Sequence, residues 1–146
     1  MFYNQKHFEN LEIMSLTKST LSKAFNNLFI QFLEEVIEIV PENRDIRTAK
    51  TYFEMLRNLN PALIIKVWYL NVYSPYKDVI DRGDIVSFLI EKDYNSDFVE
   101  LENANEVLEI VHQLRKPIGE MSENNRQKTM DYIKSLSKLS DGYNSL

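Results

Sequence analysis

The chain contains no cysteine, only three glycines and four prolines, two histidines and a single tryptophan. Each scarcity excludes something. Without cysteine there are no disulfides, no thiolate metal sites and no cysteine nucleophile. Few glycines and prolines argue against a fold of many tight turns and for long regular elements. The histidines are His7, near the start, and His112, which has no second metal-ligating residue type three or four positions further on. His112 is therefore expected to be a partly buried structural residue rather than a ligand or general base. No glycine-rich phosphate loop, nucleophile elbow or zinc spacing occurs. No uninterrupted apolar run approaches the ~20 residues that cross a bilayer. The start, Met1-Phe2-Tyr3-Asn4-Gln5-Lys6-His7, lacks the basic-then-apolar profile of a secretory signal. The expectation is a soluble or at most peripheral protein with no membrane span.

What is present describes a folded domain. A hydrophobic content of 44% and a charged content of 27% are ordinary for a globular chain, and 146 residues suit one domain. The net charge of −5 argues against a surface given over to nucleic acid. Charge is uneven, however. From Glu91 to Ile110 seven carboxylates face the single Lys92, whereas from Arg115 to Leu146 six basic residues outnumber four acidic ones.

Apolar spacing is helical throughout. Leu21, Phe25, Leu28, Phe29, Phe32, Leu33, Val36, Ile37 and Val40 line one face of a helix predicted over Ser19–Val40, capped by Ser19 or Thr20 and stopped by Pro41. A second helix is expected from an Asp45 N-cap, with Ile46, Ala49, Tyr52, Phe53, Leu56 and Leu59 inward. Asn60-Pro61 reads as a cap followed by a first helical proline, opening a helix over Ala62–Tyr73 that is apolar nearly all round and so central. A strand is the alternative there, because of the β-branched content. Ser74-Pro75 repeats the device and starts a short helix ending at Gly83, and Asp84 caps another carrying Ile85 to Ile90. Asn103 and Glu106 form a capping box for a helix ended by Pro117 and Gly119, and Ser122 caps the last. The fold class is all-α, a compact single-domain bundle of six to eight helices. Residues 1–18 form an arm or short helix, 19–140 the helical domain and 141–146 a flexible tail.

Three constellations are candidates for chemistry. Asp78, Asp81 and Asp84, three apart, share a helix spacing that can gather oxygen ligands for a divalent cation, with Asp93 and Asp97 further on. The structural alternative makes Asp84 and Asp78 helix-start residues and leaves Asp81 exposed. Tyr69, Tyr73, Tyr76 and Tyr94 suit either a stacking platform or a core with its hydroxyls at the boundary, and the core is favoured. Arg126, Lys128, Lys134 and Lys138 on the last helix are the candidate phosphate contacts, interrupted by Asp131.

The segments Phe25-Asn26-Asn27-Leu28-Phe29, Asn60-Pro61 leading to Trp68-Tyr69, and Pro75-Tyr76-Lys77-Asp78 leading to Glu91-Lys92-Asp93-Tyr94 carry a resemblance. In cadence they are similar to uncharacterised small helical proteins of large nucleocytoplasmic DNA viruses. The resemblance implies a viral setting, in the host cytoplasm or in a virion. It implies no activity and transfers no functional residue. The residues themselves point to a non-enzymatic interaction protein, and the resemblance adds a virion-associated structural role, with no cofactor, no metal and no catalytic residue assigned. The alternatives are a divalent-cation enzyme built on the aspartates and a nucleic-acid binder built on the basic last helix. The apolar face of the Ser19–Val40 helix is wide enough that Ile30 and Ile39 fall off its main stripe, which marks them as a possible interface for a homodimer or a protein partner.

Overall fold

In the computed structural model, which describes residues 2–84 and 104–146 and side chains from residue 18 onward, every regular element is helical. The elements are α1 (Phe2–Ile39), α2 (Arg44–Leu59), α3 (Leu63–Val67) running straight into a π-helical segment (Trp68–Tyr73), α4 (Lys77–Asp81), α5 (Ala104–Gly119) and α6 (Glu123–Asn144). The all-α bundle is thus what the chain forms. The helix expected after Asp84, together with Asp93, Tyr94, Asp97 and Asn103, lies outside the described residues.

α1 is far longer than its amphipathic part, at 38 residues and so ~57 Å. Ser19 and Thr20 do not cap it; both are exposed residues in mid-helix, and the expected arm is continuous with the helix. No glycine or proline interrupts the chain between Phe2 and Val40, so nothing stops the helix before Pro41. Ser22, Phe25, Asn26, Phe29, Phe32, Leu33 and Val36 form its buried stripe.

α2 starts one cap earlier than expected. The Asn43 side chain accepts from the Ile46 N–H at 3.2 Å, leaving Asp45 in the first turn, where a carboxylate still meets the favourable end of the helix dipole. Asn60-Pro61 departs more from expectation. The Asn60 N–H closes α2 on the Leu56 carbonyl (2.9 Å), while its own carbonyl accepts from the Leu63 N–H (3.1 Å). The Pro61 carbonyl accepts from both Ser22 Oγ and Asn26 Nδ2 at 2.9 Å. The elbow is therefore pinned to α1 by tertiary hydrogen bonds, and α3 begins two residues beyond Pro61.

The π-helical geometry is marked by the Ser74 N–H donating to the Tyr69 carbonyl at 2.8 Å, five residues back. The wider turn places Trp68, Asn71, Val72 and Tyr73 all inside, which suits a segment with almost no polar face. Ser74 continues the helical backbone instead of capping α4, which follows Tyr76. α4 ends as a Schellman motif. Gly83, at φ 73°, donates to the Ile80 carbonyl, and the Asp84 N–H donates to the Val79 carbonyl.

The centre of the bundle is aromatic. Phe25, Phe29, Phe32, Phe53 and Trp68 are each at most 1% exposed. Trp68 meets Phe25 and Phe29 edge-on, at centroid distances of 5.9 and 5.6 Å, and Phe29 stacks on Phe53 at 4.7 Å. Such pairs contribute ~0.5–1.5 kcal/mol each beyond the area they bury. The indole N–H, which would otherwise be a buried orphan, donates to Ser137 Oγ on α6 at 3.0 Å. Ser140 Oγ in turn donates to the Ser137 carbonyl at 2.8 Å.

Pro117 lies inside the last turn of α5 and does not end it; the helix runs on to Gly119. Ser122 caps α6 as expected, accepting from the Asn125 N–H at 3.2 Å. Most of the expected tail is helical, because α6 continues to Asn144 against α1. Ser140 is fully buried, and Lys18 Nζ sits 5.0 Å from the centre of the Tyr143 ring.

Candidate functional site

α2 carries two apolar stripes. Ile46, Ala49, Phe53 and Leu56 are buried. Tyr52, Met55 and Leu59, spaced three and four apart, lie roughly 100° further round the helix and are 37%, 45% and 71% exposed. Tyr52 and Leu59 were expected on the inner face. Leu59 ends up outside because α2 stops there and the elbow turns the chain onto α1.

Tyr52 also forms one wall of an open groove of ≈310 Å³ between α2 and α5. Ala49 and Ile110, both buried core residues, line it with Tyr52, and Asp45, Glu106 and Glu109 bring carboxylates to it. Among the described residues no lysine or arginine lines it. Gln113 Nε2 donates to Glu109 Oε1 at 2.7 Å and fixes one of the rim carboxylates. Asp45 and Glu106 lie in the first turns of their helices, where the helix dipole favours them whatever the groove does. Among the described residues no group of three or more His, Asp or Glu side chains is placed to hold a metal ion. The rim acids therefore give the groove a negative border.

Ile30 and Ile39 are both half-buried and packed against the core, and neither is among the exposed large apolar side chains. Of the exposed large apolar side chains among the described residues, Tyr52, Met55 and Leu59 lie on α2, Leu70 on the π-helical segment and Leu146 just beyond α6. The three aspartates are separated by their tasks. Asp78 is exposed in the first turn of α4, Asp81 Oδ1 accepts the Tyr73 hydroxyl at 3.0 Å, and Asp84 Oδ2 meets Arg82 Nη2 at 3.5 Å. Tyr73 is 6% exposed, and burial first, then the bond to Asp81, push its hydroxyl up to about 12. Tyr69 and Tyr76 are half-buried against the core, so the hydroxyl-at-boundary arrangement holds for the tyrosines described. His112 is exposed on α5, contrary to the expectation of partial burial.

On α6, Lys134 and Lys138 share a face with Asp131 and Asp141, while Lys128 lies off it beside Glu35 and Tyr132 in a hollow of ≈350 Å³. The Tyr132 hydroxyl is pushed up by burial and then by Glu35. No described helix is long and apolar enough to cross a membrane. The chain matches no family model, no curated protein and no solved structure.

Proposed function

We propose that the protein is a non-enzymatic binding module that docks a cationic amphipathic helix on the outer side of α2. One observation carries this reading: the groove between α2 and α5 is apolar within, acidic at its rim and, among the described residues, lined by no lysine or arginine. Tyr52, which lines it, also belongs to the exposed three-four stripe of Met55 and Leu59. A helix laid along this surface presents apolar residues at three-four spacing to Tyr52, Met55 and Leu59, and lysines or arginines to Asp45, Glu106 and Glu109. The rim charges orient and steer the partner, and the apolar stripe supplies most of the affinity. The cadence resemblance adds a viral setting to this reading, and the surface chemistry does not depend on it.

Selection from a displayed library of helical peptides against the purified protein tests the reading. Enriched sequences should carry net positive charge and apolar residues at three-four spacing, and Glu106→Lys with Glu109→Lys should abolish their binding. Enrichment without a charge bias, or binding that survives Tyr52→Ser with Leu59→Ser, would remove it.

A further inference from the structure

The elbow at Asn60-Pro61 is the chemical opposite of the groove. Two hollows of ≈400 and ≈340 Å³ flank it and share Lys23 and Pro61. Lys18 lines the first, Arg57 the second, and among the described residues no carboxylate lines either, in a chain of net charge −5. Neither Lys23 nor Arg57 forms an ion pair among the described residues. Arg57 stands in the last turn of α2, where a cation also answers the negative end of the helix dipole. That accounts for one of the three cations. Lys18 sits over the Tyr143 ring, so of the two cations on α1 only Lys23 has no local explanation.

The second hollow holds a further anomaly. Asn26, 3% exposed, lines it and commits its Nδ2 to the Pro61 carbonyl, whose other acceptor position is filled by Ser22. Asn26 Oδ1 is then left buried with no hydrogen-bond partner. A buried acceptor without a donor is costly and uncommon, and it calls for an O–H or N–H brought from outside the chain. The neighbouring cations call for an anion. Lys23, Asn27 and Asn58 are exposed and Arg57 half-buried, so the rim can shift to admit a small molecule to a site that is otherwise preorganised by the two bonds to Pro61.

We propose that this hollow binds a small phosphate monoester with a hydroxyl beside the phosphate. The phosphate sits between Lys23 and Arg57, within the field of Lys18, and the hydroxyl donates to Asn26 Oδ1. The site is independent of the groove on the other side of α2.

Amide NMR titration with glycerol 3-phosphate, and separately with inorganic phosphate, tests it. Glycerol 3-phosphate should give saturable shifts at the Asn26, Asn27 and Asn58 side-chain amides and along residues 57–62, with an affinity at least about tenfold above that of inorganic phosphate. Lys23→Gln with Arg57→Gln should weaken binding by about tenfold or more while leaving the remaining spectrum in place. Asn58→Asp, which adds a carboxylate at an exposed rim position, should do the same. Equal affinity for the two probes would overturn the hydroxyl contact and with it the proposal. So would shifts unchanged in the variants, the absence of saturable shifts, or a single-stranded RNA that binds here when glycerol 3-phosphate does not.

Discussion

The aromatic centre and the outer side of α2 are built from similar side chains in opposite surroundings. Phe25, Phe29, Phe53 and Trp68 are sealed from water and held edge-on or stacked, with the one polar atom among them satisfied by Ser137. Tyr52, Met55 and Leu59 lie on a helix that also feeds this centre through Phe53, yet they face solvent, Tyr52 beside three carboxylates. One helix thus serves stability on one stripe and leaves another exposed. Substitutions should divide the two regions cleanly, the first moving stability and the second moving binding.

The largest effect belongs to the centre. Trp68→Ala should cost ~3–5 kcal/mol in denaturant unfolding, the range for a large buried aromatic, and it also strands Ser137 Oγ. A cost below about 1 kcal/mol would mean that the centre is loosely packed and that the contrast with α2 is false.

Tyr73 joins the centre to the surface and should give an intermediate effect. Tyr73→Phe loses the bond to Asp81, but that carboxylate is exposed and regains water, so the cost should be about 1 kcal/mol. Its pH signature is more specific. The folded hydroxyl is raised to about 12 from an unfolded value near 10, so between these values the unfolded chain loses a proton that the folded one keeps. Stability is then fully present below pH ~10 and falls as pH rises towards 12. Tyr73→Phe should flatten that fall in alkaline unfolding curves; an unchanged slope would assign the fall to other groups.

The smallest stability effect should come from the exposed stripe. Tyr52→Ser, Met55→Ser and Leu59→Ser should each move stability by no more than about 0.5 kcal/mol, as surface substitutions do. A larger loss in chemical denaturation would show that these residues are packed against the fold and are not available to a partner.

The contrast was partly legible in the sequence. Helical periodicity was enough for the fold class, the buried Trp68 and the Phe25-to-Val36 face, because burial there follows from three-four spacing alone. Spacing does not reveal which stripe wins when a helix has two. On α1 the surplus of Ile30 and Ile39 is absorbed by packing against the core. On α2 Tyr52 and Leu59 were merged with the buried stripe, although with Met55 they make a three-four spacing of their own. The groove brings Asp45 beside Glu106 across more than sixty residues of chain, a juxtaposition that only packing creates. Proline positions misled for a related reason. Asn60-Pro61 has the local form of a helix start, yet the hydrogen bonds from Ser22 and Asn26 turn it into a tertiary anchor.

The claim that the outer side of α2 is a docking surface is tested most directly by fluorescence anisotropy of a labelled, lysine-rich amphipathic helical peptide titrated with the wild-type protein and with a Tyr52→Ser, Met55→Ser, Leu59→Ser triple variant. Saturable binding by the wild type, weakened by added salt and lost in a triple variant that still unfolds cooperatively, is the predicted result. Equal binding by the two proteins, or none by the wild type at low salt, would contradict it.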